Sequence, residues 1–273
     1  MTKDALGDRI KENYENRTRY FLPRRTYTII RTDGKAFHSL TKGFNKPFDR
    51  YFMGCMGSTA MFMCENIQGV RFAYTQSDEI SLLLTDFDKT NSCAWFDANL
   101  QKMVSVAAST ATVGFNQCFA EKDKWGMFDA RVFTISDPNE VFNYFVWRQV
   151  DATRNSIQMA ARAIYSHKEL NGKNTAQLQD MLMAKGVNWN DYSSGEKRGR
   201  LIVKSPYLAT SKDKEGNDVK TLRNQWVSLN GYTKDSETPV FTQNRLFLNN
   251  LIPAIEGLVP ANHNGGASIY DAG

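Results

Sequence analysis

Arg71-Phe-Ala-Tyr-Thr-Gln-Ser-Asp-Glu-Ile-Ser-Leu-Leu-Leu84 reads as two short strands joined by a tight polar turn. Apolar residues alternate on both sides: Val70, Phe72 and Tyr74 before the turn, Ile80, Leu82 and Leu84 after it. Asp78 and Glu79 sit at the tip. Adjacent carboxylates repel, so the arrangement is costly unless a cation is present. A second acidic turn, Arg31-Thr-Asp-Gly34, ends another apolar strand, Tyr27-Thr-Ile-Ile30. If the two strand ends meet, Asp33 and Asp78 can hold divalent metal for phosphoryl chemistry.

Working outward, residues 6 to 20 read as a charged helix with Leu6, Ile10 and Tyr14 on one face, stopped by Pro23. Residues 26 to 33 form a strand and 34 to 48 a loop. Asp49 to Asn66 reads as a helix with Asp49 as N-cap. After the hairpin of residues 70 to 85 comes a long helical stretch from about Ser92 to Phe119, then a strand from Ala130 to Ile135. Strand, helix, strand, strand, helix, strand is the split βαβ order, an antiparallel sheet with two helices on one face. It brings the ends of its central strands together. Polymerases and cyclases place metal carboxylates in this geometry, although fold alone does not fix function.

Asp137-Pro138 starts a further helix reaching toward Tyr165, with Asp137 as N-cap. Asn171-Gly172 breaks it, and residues 175 to 184 form a short helix. Arg200 to Lys204 and Trp226 to Tyr232 belong to a mixed region, Lys212 to Asn217 is an exposed turn, and Asn244 to Leu251 is helical. The expected organisation is a catalytic domain over 1–136, with a helical continuation and a mixed C-terminal region over 137–273 packed on it. Only His263-Asn-Gly-Gly-Ala267 reads as disordered.

Composition narrows the chemistry. With 273 residues, 41% of them hydrophobic, the chain can build one large domain or two small ones. A net charge of +5 is compatible with nucleic acid or nucleotide phosphates and establishes neither. The four cysteines form no Cys-x-x-Cys pair and read as small hydrophobes in a reducing compartment rather than disulfides or zinc ligands. His38, His167 and His263 are scattered, so a metal would take oxygen ligands, magnesium first. The N-terminus is no signal peptide and no apolar run could span a bilayer. The reading is a soluble cytoplasmic protein.

Four motifs carry a family resemblance: Arg31-Thr-Asp-Gly-Lys-Ala-Phe-His38, Lys46-Pro-Phe-Asp49, Gln76-Ser-Asp-Glu79 and Trp147-Arg-Gln-x-Asp151. Each alone is weak; four in order are specific. Over about residues 25 to 205 the chain resembles the tRNA-His guanylyltransferase family. The resemblance implies an α+β polymerase-like palm that adds nucleotides to an RNA 5′ end, the reverse of the usual direction. It implies two Mg2+ ions, ATP and GTP as substrates, tRNA as partner and a homotetramer. One departure stands out. Members that add the untemplated guanylate resemble His-Ile-Asn-Asn where this chain has Thr153-Arg-Asn-Ser156. That points to the branch that repairs truncated tRNA 5′ ends by template-directed addition. The untemplated guanylyltransferase is the alternative.

The residue roles follow. Asp33 and Asp78 are the metal ligands, with the Gly34 carbonyl completing a shell, since glycine lets the backbone approach. Glu79 is either a third catalytic acid on the metals or a supporting acid. Ser77 either bonds phosphate or caps the turn. By resemblance Lys35, Ala36, Phe37 and His38 contact nucleotide, and Lys46 and Asp49 read the guanine edge; Asp49 is also the helix N-cap, and both readings stand. Arg131 and Asn155 are assigned to triphosphate. Arg148, Arg154, Lys197 and Arg198 are assigned to tRNA or phosphate. Against this, Arg148 could pair with Asp151 or Glu140, and Lys197-Arg198 with Arg200 could be a solvated turn. Two rivals are a cyclase-like enzyme acting on free nucleotides and a non-catalytic RNA-binding palm module.

Overall fold

A computed structural model describes residues 4–89, 91–120, 124–215 and 217–254; the tail at 263–267 lies outside them. In chain order the elements are α1 (Ala5–Asn13), β1 (Tyr27–Gly34), α2 (Phe37–Leu40), α3 (Arg50–Asn66), β2 (Val70–Gln76), β3 (Glu79–Leu84), α4 (Leu100–Cys118), β4 (Phe128–Ile135), α5 (Pro138–Arg162), α6 (His167–Leu170), α7 (Thr175–Ala184), α8 (Ser194–Arg198), β5 (Arg200–Lys212), β6 (Asp218–Leu229) and α9 (Arg245–Leu251). Short 3-10 turns lie between some of them.

The strands form one sheet in the order β4-β1-β3-β2-β5-β6, every neighbouring pair antiparallel. Its first four strands, with α3 and α4, are the expected split βαβ palm. The sheet is covered on both faces, which explains why β1 and β3 are apolar without a clean alternation. Ile30, Ala73, Ile80, Leu82 and Leu84 pack under Met56, Met63, Met103 and Phe115 of α3 and α4. Tyr27, Ile29, Phe72 and Leu83 pack on the opposite face, against Val141, Phe142 and Phe145 of α5. Phe72 and Phe145 meet with ring centroids 4.5 Å apart.

Both N-caps read from sequence are in place. Asp49 accepts from Phe52 N, and Asp137 from Asn139 N. Several boundaries differ. A β-bulge between Val70 and Phe72 turns Val70 toward α3 and α4 while Phe72 and Tyr74 face α5, so the three do not share one face. Helix α4 starts at Leu100, because Asn99 caps it through Lys102 N and the preceding Phe96 and Asp97 have positive φ. The 34–48 loop contains α2. Helix α1 ends at Asn13, and its Leu6 and Ile10, with Tyr14 just beyond, are exposed rather than packed. Cys55 and Cys64 are buried as expected, whereas Cys93 is exposed; all four are free.

The mixed region is a long hairpin. Only Arg200, Leu201 and Ile202 of β5 pair with β2; beyond them β5 and β6 pair with each other and run out into solvent to the exposed turn before Asp218. These strands extend the palm sheet itself. No helix among the described residues is long and apolar enough to cross a membrane.

Candidate active site

Ser77 and Asp78 make the two-residue turn between β2 and β3, with Gln76 paired to Glu79. Ser77 takes a positive φ of 46°, as the first residue of such a turn requires. Gly34 N donates to the Asp78 carbonyl at 3.1 Å, which ties the end of β1 to the hairpin tip. Glu79 lies directly across from Asp33, so both side chains share the sheet face toward α5. Asp129 of β4 lies across Asp33 on its other side. The sequence reading began that strand at Ala130 and missed it.

Burial raises the Asp78 carboxyl above its ordinary range, and the Asp33 charge adds to the rise. Held together, the two acids and the Gly34 carbonyl form an all-oxygen edge. That donor set suits magnesium. Among the described residues no group of three or more His, Cys, Asp or Glu could hold a metal ion. A site with two carboxylates matches the habit of Mg2+, which completes its shell with water and substrate phosphate. The residues therefore fit the expected ions.

Glu79 is placed differently. Its Oε1 is 2.8 Å from Arg148 Nε, though off the hydrogen-bonding direction, and its Oε2 is 4.0 Å from Arg31 Nε. Burial raises its carboxyl, and Arg148 and Arg31 oppose that rise. Arg148, expected toward phosphate, is buried and instead joins Glu79 to Asp151, whose Oδ2 accepts from Arg148 Nη2 at 2.7 Å. Asp151 Oδ2 also accepts from Asn155 Nδ2 at 3.2 Å and Gln76 Nε2 at 3.4 Å; its Oδ1 accepts from Arg154 at 2.5 Å. One carboxylate on α5 thus fastens the hairpin beside the acidic edge formed by Asp33 and Asp78. Asp151 entered the sequence reading only as a possible partner of Arg148, a pairing the structure shows, and its wider part in holding the hairpin was missed. Its spacing of three and four residues from Arg148, Arg154 and Asn155 was the available signal.

Two cavities adjoin the hairpin tip. One, of about 250 Å³, is lined by Phe44, Lys46, Asp49, Phe52, Ser77, Met159 and Arg162. A smaller one, of about 80 Å³, shares Asp49, Phe52, Ser77 and Met159 and adds Gln76, Asn155, Ser156 and Arg200. Lys46 and Asp49, Ser77, and Asn155 are thereby brought around the two cavities from three separate segments. Asp49 is heavily used: Oδ1 caps α3 and Oδ2 accepts from Asn45 N at 3.0 Å.

Other assigned residues lie elsewhere. The Phe37 ring is in the core against Phe52, Phe115 and Phe128, so it cannot stack on a nucleotide. It also explains Gly34: a Cβ there would lie 2.4 Å from that ring. Lys35, Ala36 and His38 are exposed around it, with Ala36 in the left-handed region. Arg131 is exposed on the edge strand opposite Arg31. Arg154 is largely exposed at its tip. Lys197 Nζ donates to Asn190 O at 2.6 Å and Arg198 Nη1 to Thr238 O at 3.4 Å, so both serve local carbonyls. Arg200 is no surface cation. It is buried against the Met53 carbonyl, and burial lowers its pKa to about 10.

Residues 7–136 match the family model for tRNAHis guanylyltransferase. The tRNA(His) guanylyltransferase of Debaryomyces hansenii is 30% identical over 234 residues, 77% of this chain and 84% of that protein. The chain belongs to the tRNA(His) guanylyltransferase family. It is a nucleotidyltransferase. A bacterial tRNA(His) guanylyltransferase-like protein solved in complex with ATP superimposes with a TM-score of 0.78 at 38% identity, covering 91% of this chain and 99% of that one. A GTP complex of a bacterial protein of the same description gives 0.75 at 39%, with the same coverage. The Saccharomyces cerevisiae enzyme, at 21% identity and a TM-score of 0.62, shares the fold. For a guanylyltransferase-family site, Asp49 poses a separable question. Asn caps helices as well as Asp does. Asp49→Asn can keep the cap through its one acceptor oxygen but gives up the bond from Asn45 N, so it is expected to cost about 1 kcal/mol of stability while losing preference for GTP over ATP in addition assays. Unchanged preference would remove Asp49 from base recognition.

Proposed function

We propose that this enzyme adds nucleotides to the 5′ end of tRNA in the 3′-to-5′ direction, chiefly as template-directed repair of truncated ends. The observation that carries this reading is the joining of Asp33 and Asp78 at the palm edge, beside a cavity that collects Lys46, Asp49 and Ser77. The ATP and GTP complexes of the bacterial relatives support two nucleotide substrates. ATP would activate a 5′-monophosphate: the phosphate oxygen attacks the α-phosphorus and pyrophosphate leaves. The 3′-hydroxyl of an incoming NTP then attacks the activated 5′ phosphorus and AMP leaves. A 5′-triphosphate end would enter at the second step, releasing pyrophosphate.

Asp33, Asp78 and the Gly34 carbonyl would hold two magnesium ions, which favour the attacking alkoxide and neutralise charge on the leaving phosphate. The protein's own groups do the positioning. Ser77 and Asn155 would supply neutral donors from the walls of the two cavities, and Lys46 would supply a cation. The Arg148–Asp151 pair fixes Gln76 and Glu79 on either side of the turn, so Asp78 is held in one orientation.

Thr153 supports the templated branch. Its hydroxyl donates back to Gln149 O at 2.9 Å, and no imidazole is available there. The test uses tRNAs lacking one 5′ residue, with the opposing 3′-strand base varied. The incorporated nucleotide should follow the complementary base. Guanylate added whatever the opposing base would overturn templating in favour of untemplated addition. A homotetramer is part of the same proposal; light scattering at four chain masses supports it, and a monomer mass contradicts it.

A further inference from the structure

Beside the larger hairpin-tip cavity, the end of α5 meets the following loops in another, polar hollow of about 170 Å³. Its walls include Arg162, His167 and Lys173 with the amides of Gln158 and Asn171, and none of its lining residues is acidic. The nearby acid on α6, Glu169, is committed elsewhere: its Oε2 accepts from Ser166 N at 2.8 Å and Ser166 Oγ at 2.6 Å. Among the described residues, no carboxylate pairs with Arg162, His167 or Lys173. The one side-chain partner of Arg162 is Gln158 Oε1 at 3.4 Å. All three side chains are exposed to solvent.

Concave clusters of one charge focus potential and collect counter-ions. The donors here are a guanidinium, an ammonium, an imidazole and two amides, a set suited to the several acceptor oxygens of a phosphate. Two sources could supply that phosphate, the RNA backbone or the tail of a nucleotide. Position favours RNA. Arg162 lines both cavities, so the hollow adjoins the hairpin-tip cavity at that residue, while Ser77 lines only the latter. Neither Asp33 nor Asp78 lines the hollow, so a nucleotide with its phosphates at those acids does not fill it with them. On α5, Arg154, Gln158 and Arg162 are spaced four residues apart and so lie along one helix face, a polar track from the hairpin side to the hollow.

We propose that this hollow is a phosphate subsite that receives a backbone phosphate of the RNA substrate. The inference rests on the tRNA reading given above. Lys173 is the residue to test, because it lies in the α6–α7 loop, outside the nucleotide cavity, and is exposed. Full-length Lys173→Ala and Lys173→Glu, with Lys173→Arg as the charge-conserving control, would be titrated with a 5′-truncated tRNA across a salt series. For Lys173→Ala we expect weaker RNA binding and a log Kd against log salt slope smaller by about 0.7–0.9. Lys173→Glu should bind more weakly still and Lys173→Arg like wild type, all with unchanged KM for NTP. A wild-type slope in Lys173→Ala, with wild-type enzyme active on tRNA, overturns this inference and leaves the tRNA reading standing. A raised KM for NTP with an unchanged slope assigns the phosphate to the nucleotide and equally overturns the RNA subsite. Absence of tRNA binding by the wild-type enzyme would remove both.

Discussion

Asp78→Asn is expected to lower nucleotide addition by at least about 10³-fold, equivalent to about 4 kcal/mol of transition-state stabilisation. The amide keeps the size and the turn but removes one of the two acids at the proposed metal edge. The same change should not weaken the fold. Burial and Asp33 hold the Asp78 carboxyl above its ordinary pKa. A carboxyl raised in the folded state is a destabilising charge at neutral pH. That penalty is absent below the unfolded value of about 3.9 and grows as pH rises through the folded value. Without divalent cation, Asp78→Asn should therefore melt at or above the wild-type temperature at neutral pH, with the difference closing as pH falls toward 4 (about the unfolded value). Added Mg2+ should raise the wild-type melting temperature and leave the variant unmoved, because only a native-state ligand stabilises. Near-normal addition by the variant would sink the metal assignment.

Arg148→Met carries the largest expected loss of stability, about 2–3 kcal/mol, below the cost of stranding a fully buried charge because Glu79 and Asp151 each keep a second cation. Methionine fills much of the same space but leaves Glu79 and Asp151, both partly buried, without their shared cation, with only Arg31 and Arg154 beside them. The loss should depend on pH. Glu79 already has a raised carboxyl, and removing Arg148 raises it further. The defect is therefore full above the folded value and shrinks as pH falls toward the unfolded glutamate value, about 4.3, where the carboxyl is neutral in both states. Urea midpoints measured from neutral to mildly acid pH would show this. Arg148→Met combined with Glu79→Gln should recover part of the loss, giving a non-additive cycle as contacting residues do. A wild-type midpoint in the single variant would show that the buried triad does not hold the hairpin.

What the sequence disclosed was mostly local. The hairpin, the strand ends at Asp33 and Asp78, and the caps at Asp49 and Asp137 each follow from a few neighbouring residues. Their convergence follows from the split βαβ order. What stayed hidden depended on registration between distant segments. Arg148 meets Glu79 only because of the phase with which α5 crosses the sheet, which no spacing within α5 reveals. Phe37 sits in a polar loop yet turns into the core, because Gly34 leaves room for its ring. Arg200 looks like one of three adjacent surface cations until β5 pairs with β2 and carries it inside. The bulge before Phe72 broke an alternation that looked continuous.

The central claim is tested most directly by mapping where a labelled nucleotide goes. Wild-type enzyme would be incubated with Mg2+, ATP, α-labelled NTP and a tRNA lacking its first residue, and the product sequenced from both ends. The account predicts label joined to the 5′ end, in the complementary nucleotide, and lost in Asp78→Asn. Label at the 3′ end, or consumed into a cyclic nucleotide with the tRNA unchanged, would contradict it.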